Sequence, residues 1–419
     1  MHSRPPVNGE RSHGGIKARE SCAARAFGFS GTVSAHPAQA PTLKSDRPPR
    51  CLVKLLKQPR GFFMRSSLKR VLGLAVGAAA MVAATCSPGF AAEKKDFKVA
   101  WSIYAGWMPW GYAADSGLMK KWADKYGIKV EIVQINDYVE SINQYTAGGF
   151  DGCVMTNMDA LTIPAAGGVD STALISGDFS NGNDGIVLKK GKSVADLKGQ
   201  KINLVELSVS HYLLARALDS VKLKEKDVSV VNTSDADIVS VFTSSKDSTA
   251  VVTWNPQLAE VAAVKGATKV FDSSKIPGEI IDLMVVNSAT LKDNPALGKA
   301  LTGVWYEMMA KMEAGDTAML EAMAKASGTD LAGYKAQLAT TKMFYKPADA
   351  VTFATSAQLP KTMDMVRTFS FEHGLLGEGA KSKDAVGIAF PGGKTIGDAK
   401  NVKLRFDADF MKLAADGKL

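Results

Sequence analysis

Four acidic residues, Asp159, Glu206, Glu279 and Asp282, stand at or beside the ends of aliphatic runs, and three tryptophans, Trp101, Trp107 and Trp254, stand in or beside other such runs. A carboxylate accepts N–H hydrogen bonds, and an indole offers a flat apolar face that attracts cations. Acids around a rim and an indole on a face suit a small flat molecule that carries N–H donors. Bond-making chemistry has no such support: no nucleophile elbow, HExxH pair, phosphate loop or dinucleotide fingerprint occurs. No catalytic residue, cofactor or metal ligand is assigned.

Each of these residues also has a plainer reading. Thr156 followed by Asp159 is a capping-box pattern, so Asp159 is either a cap or a ligand contact. Glu206 ends an apolar run and points either to a cleft or to solvent. Asp282 lies between Ile280-Ile281 and Leu283-Met284, where an unpaired carboxylate is costly, so it needs a protein cation or a ligand. Trp107 is in a loop, outside any helical stripe, and reads as a ligand wall. Trp101 and Trp254 divide evenly between wall and core, and Ser208 offers either a helix cap or a hydroxyl to a ligand.

The elements that must position these residues alternate. The run Lys98 to Ile103 reads as a strand, and a tryptophan-rich loop leads through Pro109 into a helix. Trp110, Ala114, Leu118, Trp122 and Tyr126 repeat every four positions to Gly127, so that helix buries Trp110 and Trp122 as core. Strands follow at 129–135, 153–155 and 172–175, with a helix capped by Asp137 and Glu140 between the first two. Pro164 makes the helix after Thr156 short or kinked. The polar, glycine-punctuated stretch Ser176 to Gly185 reads as a loop that crosses to a second series. That series has strands at 202–205, 228–231, 250–253 and 280–286 with helices between, and from Pro295 to the end the pattern is helical. Such alternation predicts an α/β fold of two lobes, two doubly wound sheets joined by two crossover strands, with a helical C-terminal part and a ligand cleft between the lobes. The crossings are expected near Asn183 to Ile186 and near Ile280 to Val286. The expected bounds are 92–183 with 287–419 for lobe 1, and 184–286 for lobe 2.

The chain of 419 residues is 46% apolar with a net charge of +9, which taken alone suggests a polyanion partner. Its distribution removes that reading. Residues 1–91 hold fourteen Lys/Arg against three Asp/Glu, so residues 92–419 carry a net −2, and no nucleic-acid surface follows. Cys22, Cys51 and Cys86 lie in the same leader, leaving Cys153 alone in the body without a disulfide or thiolate metal site. From Met64 a basic start, an apolar run from Val71 to Ala84 and small residues before Ala91 form a signal peptide, with cleavage expected after Ala91 and export to the periplasm. Residues 1–63, rich in Arg, Pro, Ser and Gly, are expected to be disordered or non-native.

Several segments carry a family resemblance in order: the tryptophan loop, GGFDGCVMTNMDAL, SVADLKGQKI, LSVSHYLLARAL and TWNP. Over roughly residues 96 to 375 the chain resembles the substrate-binding proteins of nitrate/sulfonate/taurine-type ABC transporters. WSIYAGWMPWGYAADSG, NLVELSVSHYLLARAL and PGEIIDLMVVN look like the branch associated with urea carboxylase. The resemblance implies a type II periplasmic-binding-protein fold and a monomer that delivers its ligand to an ABC permease and its ATPase. The branch implies guanidinium or urea as the ligand, and the residue chemistry set out above offers Trp101, Trp107, Asp159, Glu206, Ser208, Trp254 and Asp282 to hold it. The alternatives within this reading are an aliphatic sulfonate, nitrate or a pyrimidine thiamine precursor. Outside it stands a pyrimidine-precursor synthase of the same two-lobed fold, which the single body cysteine and the export signal oppose. A ligand-sensing partner of a receptor would share every residue named here.

Overall fold

The computed structural model describes residues 94–419, and the expected leader and signal peptide lie outside them. The first sheet is built from β1 (Asp96–Trp101), β2 (Lys129–Gln134), β3 (Gly152–Thr156) and β4 (Ser171–Ser180). The chain then crosses through residues 181–183 into a second sheet of β5 (Asp184–Leu188), β6 (Lys201–Leu204), β7 (Ser229–Asn232), β8 (Ala250–Trp254) and β9 (Thr268–Asp272). Residues 273–280 bring it back as β10 (Ile281–Asn287), and β11 (Thr341–Met343), β12 (Gly387–Ala389), β13 (Thr395–Ile396) and β14 (Val402–Phe406) complete the first sheet.

The strand order is β13-β12-β14-β4-β10-β3-β1-β2, with β11 also on β4, and β7-β6-β8-β5-β9 in the second sheet. Both sheets mix directions: β1 runs parallel to β2 and β3, while β10 runs antiparallel to β3 and β4. The architecture is thus two-lobed α/β, as expected. β3 reads GCVMT and is buried throughout, the continuous apolar run of a strand covered on both faces. Asp137 caps Tyr138–Thr146 by accepting from the Glu140 N–H at 2.9 Å. Thr156 caps Asn157–Ala160, and Pro164 sits in a wide π-type turn rather than in a regular helix.

Four expectations need correction. Ser176 to Gly185 is not a loop; most of it is the end of β4 and the start of β5, because its polar side chains bond to one another in the buried cleft described below. The run Ile280–Val286 is not a crossing but lies inside the first sheet, where its apolar faces are covered on both sides. The single helix from Pro109 breaks into Met108–Asp115 and Leu118–Lys125 at Gly117, whose φ of 76° leaves the helical region, and Ala114 is exposed. Strand β9 and the four strands after Pro295, two to five residues long, are hidden from the sequence by weak alternation and short length.

Trp110 and Trp122 are packing residues, as the periodicity predicts. Trp110 stacks on Trp305 with ring centres 5.1 Å apart, and the Trp122 indole N–H donates to Glu307 at 2.6 Å. The Trp122 ring lies against Gly303 of the helix Pro295–Glu313, where an added Cβ would meet it at 2.2 Å. Gly303→Ala is therefore expected to lower stability by about 1–3 kcal/mol despite its better helix propensity, read as a lower urea midpoint at unchanged slope.

Candidate ligand-binding site

The carboxyl ends of β1, β3 and β8, the start of β5 and the interior of β10 converge between the two sheets. There Tyr104, Trp107, Tyr138, Thr156 and Asp282 from the first lobe and Asp184, Val209 and Trp254 from the second line a small cavity of about 10 Å³, room for roughly one water-sized sphere. Every lining residue is buried. The aromatic members form a chain: Tyr104 meets Trp107 edge-on at 5.0 Å, Trp107 lies 5.7 Å from Tyr138, and Tyr138 meets Trp254 edge-on at 5.4 Å. The Trp254 indole N–H donates to the Ile103 carbonyl at 3.1 Å, so the wall is fixed across the lobes.

Beneath the wall lie carboxyl groups. Asp159 accepts from the Tyr138 hydroxyl at 2.5 Å and the Thr156 hydroxyl at 2.8 Å. Asp184 accepts from Ser180 at 2.5 Å, and Asp178 accepts from Tyr104 at 2.9 Å and Thr341 at 2.6 Å. Asp178 and Asp282 are direct cross-strand partners on β4 and β10, and neither Oδ2 meets a donor among the described residues; a proton shared between two carboxyl groups so placed would satisfy both. Asp235, from the second lobe, accepts from the Tyr138 N–H at 3.0 Å.

Among the described residues, no lysine, arginine or histidine pairs with any of these five acids. One oxygen each of Asp159, Asp178, Asp235 and Asp282 receives no hydrogen bond from any other residue described. Burial accordingly pushes Asp184 up to about 7 and Asp159 and Asp235 up to about 6, against the pull of their hydroxyl and N–H donors. Asp178 is raised by burial, and Asp282 well above the ordinary range by burial and then by the charge of Asp178. Gly106 makes this packing possible: a Cβ there would stand 2.5 Å from the Tyr104 ring and 2.9 Å from Asp178 Oδ2.

Of the residues expected at the site, Trp107, Trp254 and Asp282 line the cavity, and Asp159 lies directly behind Tyr138 and Thr156. Three do not come to it. Trp101 is turned to the other side of β1, over Gly111 and beside Gln134 and Met323. Glu206 is exposed, its N–H held by Asn232, because the turn at Leu207 (φ 61°) carries it outward. Ser208 is consumed as a cap, donating to the Val205 carbonyl and accepting from the Ser210 N–H. Glu279, at the second crossing, is paired with Arg216 and Tyr212. Sequence reasoning missed Tyr104, Tyr138, Asp178 and Asp184. Their signals were present: Tyr104 inside the tryptophan loop, Tyr138 directly after the Asp137 cap, and two acids in a stretch read as a polar loop.

A roomier hollow, about 790 Å³, is elsewhere, by Asp170, Arg405 and Phe410. It is open, and Arg405 and Asp170 are already paired at 2.7 Å. No helix among the described residues is long and apolar enough to cross a membrane.

Comparison with known proteins meets this geometry. Residues 116–306 match the family model described as NMT1/THI5 like. Over that span, a little under half of its length, the chain is similar to that family. The alkanesulfonate-binding protein SsuA of Xanthomonas axonopodis pv. citri, solved with MOPS bound, superposes with a TM-score of 0.57 at 17% identity, over 69% of this chain and 96% of that one. The periplasmic nitrate-binding protein NrtA of Synechocystis PCC 6803 gives 0.57 at 13% identity, over 78% and 89%. These likenesses establish the periplasmic-binding-protein fold. A Brucella abortus (strain 2308) chain named only as a binding protein is 36% identical over 103 residues, 24% of this chain and 31% of that one. The chain thus spans about a third of the length of the curated relatives it matches.

The acids make a prediction for the ligand-free protein. A buried Asp raised from 3.8 to about 7 or about 6 keeps its proton in the folded state after the unfolded chain has lost it. Stability is therefore expected to fall as pH rises from about 4 to about 7, and more gently above that, where Asp282, raised well above the ordinary range, still holds its proton. Thermal melts across this range check it, and Asp184→Asn should flatten the upper part of the fall. A melting temperature that climbs steadily from pH 4 to 7 would be the opposite sign.

Proposed function

We propose that this chain is the extracytoplasmic solute-binding component of an ABC importer, and that its cleft takes a small planar nitrogen compound, guanidinium ahead of urea. The observation that carries the ligand class is the set of buried carboxyl groups with no cation among them, under an aromatic wall. A planar cation with N–H donors on every edge supplies what those oxygens lack, and its faces suit Trp107 and Trp254 once the lobes part to widen a cavity that now has room for about one water. Nitrate or a sulfonate would bring a further negative charge among acids that already resist ionisation. The N–H of Val209, at the start of the helix Val209–Ser220, faces the protein's own Asp159 rather than standing open to an anionic ligand.

The transport role is supported by the fold and by the family match, and the named ligands of the structural neighbours keep sulfonate and nitrate as the competing reading. Closure is the mechanism that the site suggests. Its lining comes from both lobes, and the lobes already meet through Ala105 N–H to the Asn255 carbonyl at 3.1 Å and Ser234 to Asp137 at 2.8 Å. A ligand touching Asp282 on one side and Asp184 on the other binds the closed state alone, and by that difference shifts the lobes toward the form presented to a permease.

Calorimetric titration with guanidinium, urea, taurine and nitrate tests this directly. Guanidinium should bind most tightly, and Asp282→Asn should weaken it about 10-fold to 100-fold, the loss of one charge-assisted buried contact. Tight binding of taurine or nitrate with none of guanidinium would remove the reading. Gly106→Ala should weaken guanidinium as well, without altering the charge of the site, by displacing Tyr104 and Asp178.

A further inference from the structure

The Asp178–Asp282 pair has a consequence beyond charge preference. The two residues stand opposite each other on adjacent strands, both fully enclosed, and each has an Oδ2 that no other residue serves. A proton between them is the one donor that satisfies both oxygens in the empty cleft. Once a cation with N–H donors occupies the cavity against Asp282, that proton becomes redundant. We infer that the cleft works by exchange: a planar cation enters as the proton shared by Asp178 and Asp282 leaves to solvent, so that capture is tight at neutral and alkaline pH and reversed by acid. This rests on the cation reading of the site.

The step balances. Before binding, the pair carries one negative charge and one proton. Afterwards it carries two negative charges against one cation, with one proton delivered to the buffer, so the net charge of the cleft is unchanged and no further uncompensated charge is buried. Other groups face the pair without doing this work. Tyr104 donates to Asp178 and is held far above its usual range, and Tyr334 and Tyr345, which also feel Asp178, are raised too, so all three stay protonated. Asp184 acts on Asp282, and Asp159 acts on Asp184, but these two titrate near 7 and 6. A neutral isostere differs in kind. The carbonyl of urea would accept the shared proton and leave it in place.

The experiment separates this from the function reading. At about pH 8, where Asp184, Asp159 and Asp235 are already ionised, calorimetry of the mature protein with guanidinium chloride in buffers of different ionisation heat should report about one proton released per ligand, and the affinity should rise about tenfold per pH unit below that. Asp178→Asn should release none and lose the pH slope, while Asp184→Asn should still release about one. Independently, the infrared carbonyl band of a protonated carboxyl group should be present in the ligand-free protein at that pH, absent in Asp178→Asn, and lost on saturation with guanidinium. Guanidinium bound with no proton released, or no such band in the empty protein, overturns the exchange. A band that is present while guanidinium fails to bind at any pH keeps the shared proton and overturns the cation reading.

Discussion

A carboxyl group removed from water must find a cation, a set of donors or a proton, and in this cleft it finds no cation. Much of the surrounding structure can be traced to that constraint. Tyr138 and Thr156 serve Asp159, Ser180 serves Asp184, and Tyr104 with Thr341 serves Asp178, so three acids that would be prohibitive in a bare apolar pocket are held by hydroxyl donors. The donors do not suffice. One oxygen on each of four acids is left over, and the acids remain harder to ionise than in water. A site built this way is costly when empty, and the cost is recovered by whatever supplies N–H groups and positive charge.

The fold explains how so many acids come together without being neighbours in the chain. In an α/β lobe the carboxyl ends of parallel strands open toward one crevice, and here two lobes turn those ends toward each other. Trp107 follows β1, Tyr138 follows β2, Thr156 ends β3 and Trp254 ends β8. The antiparallel return strand β10 then places Asp282 between β3 and β4, directly opposite Asp178. Like charges in that position oppose strand pairing unless a proton or a ligand lies between them. The strand on which the chain returns to the first sheet is thus also a strand whose pairing is sensitive to what lies between these two acids.

Local pattern settled a good part of this protein. Alternating apolar runs and helical stripes determined the α/β class, the Asp137 and Thr156 caps and the core roles of Trp110 and Trp122, because those depend on residues a few positions apart. The apolar setting of Asp282 marked it as a carboxylate in need of a partner, and Trp107 and Trp254 were legible as aromatic faces at element ends. Tertiary structure alone decided which way each pointed. Trp101 and Trp107 lie six positions apart, yet only Trp107 reaches the cavity: Trp101 ends β1 and takes the face that the register with β2 gives it, whereas Trp107 stands beyond the strand at the start of the helix Met108–Asp115. Glu206 satisfied the same rule as Asp282 and failed because a left-handed turn at Leu207 carries it outward. The pairing of Asp178 with Asp282, 104 positions apart, is a property of the β4–β10 register. No local window contains it, and a polar, glycine-marked stretch resembles a loop until the buried partners that make it a strand are in place.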